Sequence, residues 1–349
     1  MNTGYKNLTQ EQRLAAAQRL TALWAFTESG LGGIMHALQI PFTGLVVGGM
    51  AVIIISLIAE ISAHNRKQVL KTALIVLIVK AMVSPHTPFP AYIAVSFQAL
   101  LAYGIFRLLP INFFSILVLS TIAMLESAIQ KLIILTLFFG KSFWKAMDEM
   151  IAYIAKQFGI SASNGSQWIV ATYLVIYLVG GMIIAWIAYK TIKGLFADKG
   201  TLFVYSTKTI NEEIFKSQPT KRKTLYRKLW TMILLLVILS VVLFIFASDS
   251  KQGWLEVVKT VSWTLSAILI WYMIIGPLFT KAIQNFLQKK QSRYSNEVLQ
   301  ILSFIPVLRQ LTLLAWQHSK LSKGFGRWNS FVSTLIQATL TYTEPPAAK

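Results

Sequence analysis

Cysteine is absent from this 349-residue sequence, so the chain has no disulfide, no thiolate zinc site and no iron–sulfur cluster. The four histidines, at positions 36, 64, 86 and 318, are scattered and do not form the closely spaced pair of a zinc-binding helix. A phosphate-binding P-loop and the GxSxG turn of serine hydrolases are also missing. We therefore expect no cofactor, no metal site and no ATP hydrolysis within this chain.

Charged residues are scarce as well. They make up 13% of the chain, about half of the ~25% typical of a soluble domain, whereas hydrophobic residues make up 55%. Several apolar runs reach the roughly 20 residues that a helix needs to cross a bilayer. The net charge of +20 comes from basic residues just outside these runs, which is the pattern of cytoplasmic loops rather than of a nucleic-acid-binding surface.

The first 199 residues predict a unit of six membrane spans. The predicted spans are 20–38, 42–62, 69–84, 90–106, 112–140 and 168–190. The connection AHNRKQVLK (63–71) leads from the second span into the start of the third, and its Arg66, Lys67 and Lys71 mark it as cytoplasmic. Residues 141–166 mix charges with aromatic residues, which indicates an amphipathic helix on the outer surface.

The composition changes after residue 199. Residues 200–228 predict a basic cytoplasmic linker, and residues 229–349 a second unit with spans at 229–247 and 258–280. The apolar segment 298–317 has basic residues on both sides, which favours a helix lying in the cytoplasmic interface over a crossing. The fold class predicted is all-α: a polytopic transmembrane helical bundle of about six spans plus two further spans and cytoplasmic amphipathic helices. Both chain ends are expected on the cytoplasmic side of the inner membrane.

Lys80 lies inside the third predicted span, where an ammonium group costs about 3 kcal/mol on insertion scales unless it is paired or hydrated. Glu126 is the only acid between residues 63 and 140, so it is the expected counter-charge, with Glu28 as the other candidate. The existence of an ion pair does not by itself distinguish a ligand site from a packing lock, that is, an ion pair that only holds two helices together.

Other polar residues near Lys80 predict an outward-facing pocket for a small molecule. His86 lies in a proline-rich external loop, and the fourth span adds Tyr92, Ser96 and Tyr103. The candidate ligand-binding residues are therefore Lys80, His86, Tyr92, Ser96, Tyr103 and Glu126.

Small residues recur every four positions in the first span, at Ala25, Ser29, Gly33 and Ala37. Such a stripe lets another helix approach closely. It indicates either packing within this chain or a docking face for a partner subunit.

The span layout over residues 20–195, the small-residue stripe and the stretch VKAMVSPHTPFPAYIAVSFQALLAYG resemble the substrate-binding S component of energy-coupling factor (ECF) vitamin transporters. The resemblance implies a six-helix bundle with an externally capped vitamin pocket. It also implies a first helix that docks onto a transmembrane coupling protein, and ATPase partners. The stretch SFIPVLRQLTLLAWQHSKLSKGFGRW is similar to the cytoplasmic helices with which a coupling component binds its ATPases.

Three functions remain open on the sequence. The first is a membrane component of small-molecule uptake, with the lipid bilayer, a solute, a coupling protein and ATPases as partners and no nucleic acid. The second is a non-catalytic scaffold subunit of a larger membrane complex. The third is a lipid-modifying enzyme that uses Glu28, His36 or Glu126 as acid–base groups.

Overall fold

The computed structural model of this chain describes residues 9–37, 42–62, 65–84, 89–159, 164–197 and 251–342. Within these ranges the regular elements are helical and no strand is present, which confirms the predicted all-α class. The predicted span 229–247, the predicted linker and His86 lie outside the described residues.

The described helices begin and end as follows: α1 Gln10–Phe26, α2 Gly32–Ala37, α3 Thr43–Ile61, α4 Lys67–Val83, α5 Phe89–Leu108, α6 Phe113–Gln157, α7 Gly165–Ala197, α8 Lys251–Ile270, α9 Gly276–Gln291, α10 Ser295–Ser319 and α11 Phe325–Thr341. Helix α1 starts with a capping box. The Thr9 hydroxyl accepts from the Gln12 backbone N–H at 3.2 Å, and the Gln12 side chain accepts from the Thr9 N–H at 3.0 Å.

Six helices of the described part of the chain are long and apolar enough to cross a bilayer: Thr43–Ile61, Phe89–Leu108, Phe113–Gln157, Gly165–Leu195, Val261–Phe279 and Ser295–Ser319. The predicted membrane-embedded class is thus supported by length and composition. The predicted spans 20–38 and 69–84 are helical as far as residues 37 and 83, but the first is divided into α1 and α2, and α4 has only 17 residues.

Helix α3 is the centre of the bundle formed by α1, α3, α4 and α5. In the most apolar 18-residue stretch of α3, 78% of the residues are buried. The corresponding fractions in α6 and α7 are only 22% and 28%. Helices α1, α4 and α5 pack against it. The exposed faces of α6 and α7 are lined with large apolar side chains such as Ile133 and Val175, which suits contact with lipid.

The chain forms two compact units that do not coincide with the predicted division at residue 199. The first unit comprises residues 1–130, 174–206 and 278–349, and the second comprises 131–173 and 207–277. Within the first unit, α10 and α11 pack against each other and both pack against α1, so the C-terminal helices belong to the same core as the N-terminal ones.

The predicted boundary at residue 140 is present within α6. Gly140 leaves the helical conformation, with φ of 69° and ψ of −167°, and helical geometry resumes after it. Glycine adopts this positive φ without a steric penalty. The break separates the apolar segment that was predicted to span from the mixed segment that was predicted to be amphipathic.

In the part of the chain that the structure describes, two short π-helical turns interrupt otherwise regular helices. The first is Thr27–Leu31, between α1 and α2, where the Gly32 N–H bonds to the Thr27 carbonyl five residues back. The second is Trp271–Ile275, where the Gly276 N–H bonds to the Trp271 carbonyl in the same way. A Cβ on Gly276 would lie 2.9 Å from that carbonyl oxygen, so the glycine permits the turn to close. Such turns are rare and are frequent at functional sites.

Candidate functional site: a buried ion pair in the helical bundle

A buried ion pair joins the first and fourth helical segments. The Lys80 Nζ lies 2.6 Å from Oε2 of Glu28, and the two side chains are only 4% and 5% exposed. The expected pairing with Glu126 is therefore corrected: the counter-charge of Lys80 is Glu28, which comes from a helix 52 positions earlier in the sequence.

Local structure explains how the two charges meet. Glu28 lies in the π-turn Thr27–Leu31, and Lys80 lies in the last turn of α4. A cation in the last turn of a helix is stabilised by the negative end of the helix dipole. Helices α1 and α4 pack together, and the hydroxyls of Thr21 and Thr72 are 3.4 Å apart in their buried interface.

Tyr92 of α5 lies on one side of this site. The ring centroid of Tyr92 lies 6.0 Å from the Lys80 Nζ, at the outer limit of a cation–π contact, and the tyrosine is buried. The Ser96 hydroxyl donates to the Tyr92 backbone carbonyl at 2.8 Å, which leaves its lone pairs able to accept a further bond. The structure thus brings Lys80 and Tyr92 together, as predicted from the sequence.

Glu126 Oε2, Gln98 Oε1 and Ser29 Oγ are among the buried acceptor atoms that have no hydrogen-bond partner within the described residues. Gln98 lies beside Gly48 of α3, because a Cβ at Gly48 would be 2.9 Å from the Gln98 Nε2. Buried acceptors without a donor are uncommon, and each is a place where a donor of a bound molecule can be received. Glu126 therefore stays a candidate ligand-binding residue, although it does not pair with Lys80.

Tyr103 lies apart from this site. It is 11 residues beyond Tyr92 on the same helix, which corresponds to about 16 Å along the axis. There it lines a separate cavity together with Asn65, Arg66, Lys67 and Arg107. Arg66 and Lys67 had been interpreted from the sequence only as markers of the cytoplasmic boundary. A cavity between them and Arg107 was missed because no periodic signal joins the start of α4 to the end of α5.

The small-residue stripe is largely covered within this chain. Ala25 is fully buried and Ser29 is buried, whereas Gly33 is half-buried, with nothing within 4 Å of where a Cβ would lie. The side chain of Ala37 is outside the described part of the structure. Packing within the chain thus accounts for the first half of the stripe, and among the described side chains of the stripe a docking face for a partner is open at Gly33.

Comparisons with family models, with curated proteins and with solved structures found no match for this chain.

Proposed function

We propose that this chain is the membrane component of a small-molecule uptake transporter, which binds an anionic, vitamin-like solute at Lys80 and is coupled to a partner ATPase. The observation that carries the proposal is the Lys80–Glu28 ion pair, enclosed among apolar helices. Ionisable residues at such depth are expensive and mark the paths of substrates or ions more often than they stabilise the fold.

The pair suits reversible capture of an anion. Glu28 keeps the ammonium group neutralised while the site is empty, and a carboxylate or phosphate of the solute takes its place on Lys80. The Tyr92 ring provides a flat wall, while Gln98 and Glu126 provide acceptors for hydrogen-bond donors of the solute. A mostly apolar site with a few convergent polar groups is the general form of a small-molecule pocket.

The π-turn supplies a reason why Glu28 can move. Its wider i→i+5 bonding has poorer packing than the regular helix on either side, so a shift of this turn disturbs few of the bonds of α1. In this mechanism the turn carries the Glu28 carboxylate away from Lys80 when solute arrives and returns it on release.

Contacts of the C-terminal helices support the cytoplasmic placement of both chain ends and a coupling role for α10 and α11. The Lys71 Nζ lies 3.1 Å from Glu297 Oε1, and the Arg19 Nη1 donates to the Leu340 carbonyl at 2.6 Å. Arg19 and Lys71 lie on the side of the bundle where the basic loop 65–67 is found, which the positive-inside pattern assigns to the cytoplasm. Helices at this face are in a position to transmit the movement of an ATPase to α1.

The test uses three variants: Lys80→Met, Glu28→Gln and the double variant with both changes. Removing one partner of a buried pair costs about 3–5 kcal/mol, because the other charge stays buried without compensation, whereas removing both is close to neutral. We expect the double variant to unfold at nearly the wild-type temperature in mild detergent. We also expect it to have lost the small molecule that mass spectrometry finds retained on the wild-type protein.

The double variant separates a ligand site from a packing lock. If wild-type and double variant carry the same retained molecules, Lys80 does not bind the solute and the proposal fails. If the wild-type protein retains stable membrane partners but neither a solute nor an ATPase, the scaffold function replaces it. Lys71→Met, which breaks the half-exposed Lys71–Glu297 ion pair of the same unit, serves as the control for loss of a lysine.

A further inference from the structure

A second polar site lies at the opposite end of α4 and α5. Asn65, Arg66, Lys67, Tyr103 and Arg107 line a cavity of about 630 Å³, within the range of roughly 300–1,000 Å³ usual for ligand sites. Its lining contains three cations and no acid. Among the described residues, none of the three cations lies within 4 Å of a carboxylate.

Two of the three cations, Arg66 and Arg107, have hydrogen-bond partners within the local fold. The Arg66 Nη1 donates to the Ala59 carbonyl at 2.6 Å, which uses one of its five donors and fixes the guanidinium. Partial burial lowers the pKa of Arg66, an effect that the nearby carboxylate of Glu60 opposes, and the group remains cationic at neutral pH. The Arg107 Nη1 lies 3.5 Å from the Tyr103 hydroxyl, which can in turn donate to an anion.

The cavity lies beside the ends of two helices that are long and apolar enough to cross a bilayer. Asn65, Arg66 and Lys67 come just after the apolar helix Thr43–Ile61, and Arg107 is one residue before the end of the apolar helix Phe89–Leu108. Basic pockets between transmembrane helices on the cytoplasmic side are the usual binding places of anionic headgroups.

An apolar stripe runs from this cavity towards the membrane interior. Ile93, Leu100 and Arg107 are seven residues apart on α5 and therefore share one face, and all three are exposed. Nothing lies within 4 Å of a Cβ built at Gly104, so the surface between Leu100 and Arg107 is open. An acyl chain of a lipid whose headgroup is bound in the cavity can therefore lie along Leu100.

We propose that this cavity binds the phosphate headgroup of an anionic phospholipid, with an acyl chain along the exposed face of α5. The cations supply charge-assisted hydrogen bonds to the phosphate oxygens, and the apolar stripe distinguishes a lipid from a free phosphate. This site does not depend on a solute at Lys80, which lies 13 residues from Lys67, or about 20 Å along α4.

The experiment compares phosphatidylglycerol with phosphatidylcholine. Purified protein in mild detergent is titrated with each lipid, and native mass spectrometry counts the bound molecules. The test variant is K67Q/R107Q, since both side chains are exposed and their loss leaves the Arg66 anchor intact. Each removed cation is expected to lower the phosphatidylglycerol affinity by about fivefold, so the double variant loses about 25-fold.

Two control variants separate a built site from general attraction to anions. R293Q removes an exposed cation outside the cavity and is expected to change the affinity by less than about twofold. The charge-retaining variant K67R/R107K is expected to stay close to wild type. Thermal unfolding of all variants in the same detergent verifies that they are folded.

Several outcomes overturn the proposal. A loss in R293Q as large as that in K67Q/R107Q shows that attraction is not localised, and equal binding of the two lipids shows that the headgroup charge is not recognised. Competition experiments with inorganic phosphate and with glycerol 3-phosphate test whether the cavity binds the phosphate of a lipid or that of a free compound. If either soluble anion displaces phosphatidylglycerol at equal concentration, the cavity binds a free phosphate compound. That result would contradict the proposal that its ligand is a lipid.

Discussion

Lys71 and Lys80 lie on the same helix, and each pairs with a glutamate from a distant part of the chain. The Lys71–Glu297 side chains are 36% and 26% exposed, whereas Lys80 and Glu28 are almost fully enclosed. Water screens the first pair and is excluded from the second, so the same chemistry has different consequences. The first pair fastens α4 to α10, and the second holds an ammonium group in an apolar interior.

The half-exposed Lys71–Glu297 pair gives a prediction about stability. We expect Lys71→Met to lower the free energy of unfolding by no more than about 1 kcal/mol, because a solvated pair gains little and loses side-chain entropy. Stepwise thermal unfolding of wild type and variant at low and high salt is the measurement. A loss of several kcal/mol, unchanged by salt, would show that this contact is part of the core.

Residue identity predicted the Lys80 site only in part. The need for a counter-charge and the proximity of Tyr92 follow from the energetics of a buried lysine and from the order of the spans. The choice of Glu126 was wrong because it preferred the one acid between residues 63 and 140, whereas Glu28, the other candidate, meets Lys80 across 52 positions of the sequence. The unpaired acceptors of Gln98 and Glu126 depend on side-chain packing, which no sequence pattern encodes.

At the scale of elements, glycines set how closely helices approach. Gly181 of α7 packs against α6: a Cβ there would lie 3.0 Å from the Thr121 Cα, and the Gly181 carbonyl accepts from the Ser120 hydroxyl at 2.7 Å. The obstacle is backbone rather than the end of a flexible side chain. The same helix contains Gly194, where nothing lies within 4 Å of a Cβ.

These two glycines make a matched pair of variants. Gly181→Val is expected to push α7 away from α6 and lower stability by about 1–3 kcal/mol, as overpacking does. Gly194→Val has the same change of helix propensity without the clash, and we expect its unfolding temperature in mild detergent to stay near the wild-type value. Equal effects of both substitutions would mean that the close approach of α6 and α7 contributes nothing.

A helix boundary could be predicted from the sequence where a particular residue causes it. The break of α6 was predicted from the change between apolar and mixed composition, and Gly140 makes it through its positive φ. The division of the first predicted span was not predicted. Thr27–Leu31 looks like any helical stretch in composition, because a π-turn is decided by hydrogen-bond geometry rather than by residue type.

At the scale of the whole molecule, composition and packing divide the chain differently. The polar stretch after residue 199 looks like a linker between two bodies, yet residues 278–349 belong to the same compact unit as residues 1–130. Composition detects which segments are apolar, but it does not detect which of them touch. The packing of α10 and α11 on α1 was therefore not foreseeable from composition.

This arrangement predicts that a protein split at residue 200 reassembles. Fragments 1–200 and 201–349, produced together, are expected to co-purify in mild detergent through the contacts of α10 and α11 with α1 and through the Lys71–Glu297 and Arg19–Leu340 bonds. Size-exclusion chromatography of a complex captured by a tag on one fragment is the measurement. Recovery of the tagged fragment alone would show that the two parts fold as separate bodies.

The π-turn at Thr27–Leu31 also acts as a single-residue insertion in an otherwise continuous helix. Closing five residues where a regular turn closes four places α2 out of phase with α1 by one residue, or about 100° of rotation. The four-residue recurrence of Ala25, Ser29, Gly33 and Ala37 therefore does not stay on one face, which explains why Ala25 is enclosed while the space at Gly33 is open. Loss of Gly30 would restore the phase: Glu28 would keep its place relative to α1, and the helix beyond Gly32 would present a different side to its neighbours.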